Sequence, residues 1–219
     1  MVKKIVFIIL SIITALLAVS ASIEFAKLLR NFSLSSKDEL SFAIGFVVYL
    51  LVHFLLYKPV FMHVMAHELT HALMALPFGG KTKELKVSKE GGRVLISKSN
   101  FLISLAPYFF PLYALLFALI YIIARDEYRF IAAFFTGAGL SFHIALTLFS
   151  LRSNQSDFHA DSDFIFSIIF VYFMNIVMIS LVLTAMSPKI NFLGFIVSTF
   201  KGSYHLVRSA LSGLNNGLK

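Results

Sequence analysis

The sequence predicts an all-α polytopic membrane protein of about six transmembrane helices, with one short β-hairpin after the third. Three observations predict it. The 219 residues are 58% hydrophobic and only 14% charged, with a mean hydropathy of +0.86, whereas soluble domains carry about 25% charged residues. A soluble domain this apolar lacks the polar surface to cover itself. Apolar runs close to the roughly 20 residues that cross a bilayer recur along the chain, separated by short gaps that hold most of the charge.

The first run, residues 5–25, follows Lys3 and Lys4. Small residues at Ala18, Ser20 and Ala21 give it some likeness to a signal peptide. It is longer than the usual 7–15-residue apolar region of such a peptide, so an uncleaved helix is the better reading. After a polar gap at 27–39, a second span covers 40–57 and stops at Lys58-Pro59. Proline suits the first turn of a new helix, so 60–76 reads as a third, ended by Pro77 and Gly79-Gly80. Residues 81–100 alternate charged and apolar side chains around Gly91-Gly92, a hairpin pattern. The hairpin reads either as a connector at the headgroups or as an edge to which an extended substrate adds a strand.

Residues 101–124 form the next span, interrupted by Pro107 and Pro111. A kink is expected there, with a wet cavity lined by freed carbonyls as the alternative. Spans at 130–151 and 164–186 flank a polar stretch, 152–163, that holds Asp157, Asp161 and Asp163. Residues 188–219 are weakly amphipathic and are expected to lie at the membrane surface. With no internal repeat, the whole chain, 1–219, reads as a single integral membrane domain.

The 19 Lys and Arg outnumber the 11 Asp and Glu. They cluster between apolar runs, where anionic headgroups explain them, and no nucleic-acid-binding motif accompanies them. The expected partner is the bilayer, not nucleic acid. Basic residues are split almost evenly between the two sides, so orientation is undecided, although Lys3 and Lys4 favour a cytoplasmic N-terminus. With no cysteine, a metal site must be built from His, carboxylate or water.

The third span reads His63-Val64-Met65-Ala66-His67-Glu68-Leu69-Thr70-His71 and contains HExxH. By composition alone this motif would arise about 0.006 times in such a chain, so chance is a poor account of it. Histidines four apart share one helical face and can both reach one ion at about 2.0–2.1 Å. Glu68 can approach a metal-bound water as general base without being a ligand. Ionisable groups inside a membrane cost about 2.5–3.5 kcal/mol each on insertion scales, and a divalent cation offsets that cost.

Catalytic zinc sites usually have three protein ligands and one open position. Candidates for the third ligand are Asp157, Asp161, Asp163 and His143. His67 and His71 lie in the later half of their helix, on the side where a six-span topology places residues 152–163. His63, one turn before His67, reads as an outer neighbour of the metal, a cavity residue, or simply a bundle histidine. His143 sits mid-span and either orients substrate or ligand or bonds another helix. Asn175 suggests interhelical bonding, and His53 suggests no partner.

This constellation resembles the site-2 protease family of intramembrane zinc metallopeptidases, particularly small bacterial members without a PDZ domain. The likeness runs from about residue 59 to 167. It rests on His67-Glu68-Leu69-Thr70-His71, Gly79-Gly80 and the β segment, Ser104-Leu105-Ala106-Pro107-Tyr108-Phe109-Phe110-Pro111, Phe142-His143, Gln155-Ser156-Asp157 and Phe166-Ser167. The resemblance implies one zinc per chain, cleavage of membrane-associated protein substrates, and residence in a bacterial cytoplasmic membrane. It carries the third-ligand role onto Asp157. The sequence departs from the family in lacking a Leu-Asp-Gly form of that motif, and residues 159–163 read as irregular, which keeps Asp161 as a rival. Readings from other classes are a metal transporter or sensor, which would need no base beside the metal, and a degenerate protease-like scaffold, which would not need His67, Glu68 and His71 intact.

Overall fold

The computed structural model describes residues 2–56, 58–150, 157–160 and 163–217. In chain order the helices and strands are α1 (Val2–Leu29), α2 (Lys37–Leu55), α3 (Val60–Ala75), β1 (Thr82–Val87), β2 (Gly92–Ile96), α4 (Phe101–Leu105), α5 (Leu112–Ile123), α6 (Arg129–Ser150), α7 (Asp157–Ala160), α8 (Phe164–Met186) and α9 (Phe192–Gly217). Short 3-10 turns follow α3 (Leu76–Phe78) and α4 (Ala106–Tyr108).

These apolar helices mark an integral membrane protein. Six membrane spans are not reached among the described residues. Among the described residues four helices are long and apolar enough to cross, Lys4–Leu29, Lys37–Leu55, Arg129–Ser150 and Phe164–Met186. A fifth is reached if Phe101–Tyr108 and Leu112–Ile123 are taken as one broken span. The helix bearing the HExxH motif has only 16 residues. It rises about 24 Å, short of the roughly 30 Å hydrocarbon core.

Contacts divide the chain into two compact units, Met1–Phe32 with Asp163–Lys219, and Ser33–Ser162. In the first unit α1 packs against α8 and α9. The Phe7 and Phe166 rings meet at 5.5 Å. Ser20 Oγ donates to the Thr199 carbonyl at 2.7 Å, and a Cβ at Gly202 would collide with Ser20 Oγ. Small residues thus let the α1 and α9 backbones approach. The segment expected as a surface tail forms a 26-residue helix whose first half contacts α1, which leaves its place relative to the membrane surface as an expectation. Hydropathy does not register this, because the docking residues Thr199, Gly202 and Ser203 are small rather than apolar.

The second unit is built on α6, with α2 and α5 against it. Gly45 lies against the Phe134 carbonyl, Gly137 against the Phe42 carbonyl and Gly139 against the Ala114 backbone, each leaving no room for a Cβ. The interior of α6 is lined by buried Thr136, Leu140 and Ser141. Its neighbour α2 begins inside the expected polar gap. Ser36 and Glu39 form a capping box there, the Glu39 amide donating to Ser36 Oγ at 3.0 Å, which satisfies amides that would otherwise be orphaned.

The α3 helix ends as the sequence predicts. Gly79 adopts φ +68°, a left-handed position that costs glycine nothing, and the Gly80 amide closes on the Ala75 carbonyl at 2.8 Å. The hairpin follows. β1 and β2 pair antiparallel, Val87 opposite Gly92, with an irregularity between Thr82 and Glu84. Beyond it, the expected kink is a 76° bend between Phe101–Tyr108 and Leu112–Ile123. Pro107 lies in the first turn of the 3-10 segment and Pro111 caps α5. The bend turns Phe101–Tyr108 back onto α3, which also receives both strands.

Candidate metal centre

The helix period sets His67 and His71 on one face of α3, and their Nε2 atoms stand 3.2 Å apart. Asp157, the first residue of α7, brings Oδ2 to 3.3 Å from His67 Nε2 and 3.8 Å from His71 Nε2. Tetrahedral donors about 2.0–2.1 Å from an ion stand about 3.3–3.4 Å from one another. The three observed separations bracket that value, so these side chains fit a single ion.

Hydrogen bonding fixes the state of His71. Its Nδ1 lies 2.9 Å from the Ile103 carbonyl oxygen. A carbonyl only accepts, so Nδ1 carries a proton and Nε2 is the ring nitrogen turned toward His67 and Asp157. An outer N–H bonded to a carbonyl is the usual arrangement of a metal-binding histidine. Ile103 holds this position because the Asn100 side chain caps α4, accepting from the Ile103 amide at 3.0 Å, and because Ile103 is itself wholly buried.

At Asp157 burial acts to raise the carboxyl, but hydrogen bonds from His67 and Tyr108 and the charges of His71 and His67 outweigh it. The group ends below its ordinary value and is held as carboxylate. Tyr108, at the end of the segment that the bend turns back, donates to Asp157 Oδ2 at 2.8 Å.

Glu68 points from α3 toward β2. Its Cγ lies 2.6 Å from where a Cβ on Gly92 would stand, and its carboxylate faces the Val94 backbone. A cleft of about 450 Å³ is lined by His67, Glu68, His71, Val94 and Asp157. A second cleft of similar size touches His63, His67, Glu68 and Gly92. The face of α3 that carries His67 and Glu68 is therefore reachable from a cleft. The arrangement offers three converging donors and, one residue along from the first, a carboxylate that is not among them.

The Peptidase M50B-like family profile matches residues 40–211. The chain belongs to that family. No curated protein and no solved structure matches it. The resemblance to site-2 proteases is thus borne out at the level of family, and the matched range takes in every candidate residue of this M50B-like family member.

The remaining candidates have other surroundings where they are described. His63 bonds Ser150 on α6, Nε2 to Oγ 3.1 Å. His143 is buried on α6 and lines a small internal cavity, about 20 Å³, that His63, His67, Thr70 and Thr147 also line. His143 thus approaches the His67 side of the centre without joining the cluster. Asp163 caps α8, accepting from the Ile165 amide at 3.0 Å. Asp161 lies outside the described residues. His53 does have a partner, Tyr49 Oη at 3.3 Å from its Nδ1, and the Asn175 side chain donates to the Val171 carbonyl of its own helix at 2.8 Å. Tyr108 was missed as a site residue. The available signal was a phenol beside Pro107 and Pro111 in an otherwise apolar span, where a polar tip needs a partner.

Proposed function

We propose that this protein is a membrane-embedded zinc metalloprotease that cleaves membrane-associated protein substrates, one zinc per chain, in a bacterial cytoplasmic membrane. The observation that carries the reading is the convergence of His67 Nε2, His71 Nε2 and Asp157 Oδ2 within 3.2–3.8 Å, with Glu68 alongside. Two imidazoles and one carboxylate form the donor set of a catalytic zinc site with an open fourth position.

His67, His71 and Asp157 would hold the ion. Zinc bound there supplies Lewis-acid polarisation of a peptide carbonyl and makes water acidic enough to react near neutral pH. Glu68 takes the proton from the attacking water and returns it to the leaving amine. A helical backbone hides the bond to be cut, so a helical substrate unwinds locally before cleavage. Strand β2 offers its backbone beside Glu68 as the surface along which that extended chain is laid.

The test is zinc content and peptide-bond cleavage of the detergent-purified protein, compared with Glu68→Gln and Asp157→Ala. The expected result is about one zinc per chain in the wild type and in Glu68→Gln, with cleavage lost by about 10²–10⁴-fold in the latter, and zinc lost in Asp157→Ala. A wild type that takes up no zinc after supplementation would overturn the reading and leave a membrane scaffold. Zinc uptake with equal cleavage by wild type and Glu68→Gln would remove the general-base role.

A further inference from the structure

Tyr108 occupies an unusual place for a phenol. It is 1% exposed and closes the Phe101–Tyr108 segment just before the 76° bend. A buried hydroxyl needs a partner, because leaving it unpaired costs about 1–3 kcal/mol. Its partner is Asp157 Oδ2, at 2.8 Å. This is the same oxygen that stands 3.3 Å from His67 Nε2. The Tyr108 ring meets the His67 ring edge-on at 5.3 Å and the Phe158 ring at 4.6 Å. One residue therefore touches both elements that bring donors to the centre, α3 and α7.

Such a tie has a physical use. The histidines are held by sixteen residues of continuous helix. Asp157 comes from a helix of only four residues, and its carboxylate can rotate about two side-chain torsions. Ordering it against that freedom costs entropy unless a neighbour has already fixed it. A short O–H···O⁻ bond is directional and charge-assisted, and here it holds the oxygen that faces His67 and His71.

We propose that Tyr108 is a positioning residue of the metal centre: its hydroxyl fixes the Asp157 carboxylate in the orientation that completes the site with His67 and His71. The inference rests on the metalloprotease reading and adds to it a residue outside the HExxH helix and the Asp segment. Tyr108 acts through Asp157 and needs no contact with substrate.

The test is metal binding by Tyr108→Phe, which removes the hydroxyl and keeps the ring contacts with His67 and Phe158. Zinc affinity is measured by competition with a chromophoric chelator, and the visible spectrum is recorded for the cobalt-loaded protein. The expected result is an affinity about 10–100-fold weaker, the usual effect of losing an outer-shell partner, with shifted cobalt bands and unchanged melting of the metal-free protein. In an Asp157→Asn background the same substitution is expected to change affinity no further. A Tyr108→Phe protein with wild-type affinity and spectrum would overturn the proposal. So would an equal loss in the Asp157→Asn background, since Tyr108 would then act independently of that carboxylate. Phe158→Leu, which removes packing and leaves the hydroxyl, is expected to bind zinc nearly as the wild type does. A loss there as large as in Tyr108→Phe would assign the effect to packing and overturn the proposal. If the wild type binds neither zinc nor cobalt, the metalloprotease reading itself falls and this inference falls with it. Normal wild-type binding with an indifferent Tyr108→Phe removes the inference alone.

Discussion

Gly92→Ala is a one-carbon change that separates the proposed base from the proposed ligands. A Cβ at Gly92 would stand 2.5 Å from Val64 Cγ1, 2.6 Å from Glu68 Cγ and 2.9 Å from Glu68 Oε1. Carbon atoms in ordinary contact are about 3.5–4.0 Å apart, so something must move by about 1 Å. Val64 is β-branched within a helix and its rotamer is stiff. The hairpin is held by its pairing with β1 and by Lys98 Nζ donating to the Phe78 carbonyl at 2.9 Å. Glu68 is the long, adjustable side chain of the group, so it yields. The three atoms nearest to a new Cβ belong to Val64 and Glu68, not to His67, His71 or Asp157. The expected outcome is wild-type zinc content with turnover reduced about 10²-fold, the usual consequence of misplacing a reacting group by about 1 Å. The assay is the cleavage rate of a membrane-protein substrate in detergent, with zinc measured on the same preparation. Adding Val64→Ala opens the space and is expected to recover part of the rate. Undiminished turnover in Gly92→Ala would refute the placement of Glu68 against β2, and loss of zinc together with activity would refute the separation of base from ligands.

Two further predictions concern the scaffold and the ligands. Gly137→Ala puts a Cβ onto the Phe42 carbonyl at the α2–α6 crossing and is expected to destabilise the second unit by about 1–3 kcal/mol; thermal unfolding in detergent reads this, and an unchanged melting temperature would contradict the close crossing. Acidification is expected to release the metal through the imidazoles, because His67 and His71 must be unprotonated to bind whereas Asp157, held below its usual value, stays ionised to lower pH. Zinc retention in equilibrium dialysis should therefore fall before the pH reaches the carboxylate range; retention down to that range would place the controlling proton on Asp157 instead.

How much of this was legible in the sequence depends on distance along the chain. The convergence of His67 and His71, with Glu68 beside them, follows from the 3.6-residue period within a single helix. The helix stop at Gly79 and the hairpin were readable for the same reason, as turn chemistry acts over a few residues. The number of spans was less legible, because apolarity marks a run as suited to lipid without fixing its helical length. The HExxH helix ends after 16 residues, and the Pro107–Pro111 segment bends by 76°. The α9 docking escaped notice because it depends on small residues facing Ser20, some 180 positions away.

Residue type and spacing thus determined a membrane-embedded helical protein carrying two metal-capable histidines and a neighbouring carboxylate. Among the described residues, tertiary structure brings Asp157 to them. Asp157, Asp163 and His143 are all plausible ligands by residue type. Only the fold sets Asp157 Oδ2 beside His67 Nε2 while assigning Asp163 to the α8 cap and His143 to an internal cavity. Tyr108 belongs to the same class of information. Its partner is 49 residues away, and no local rule of helix or turn reaches that far, because such a contact exists only after the bent segment has folded back against α3.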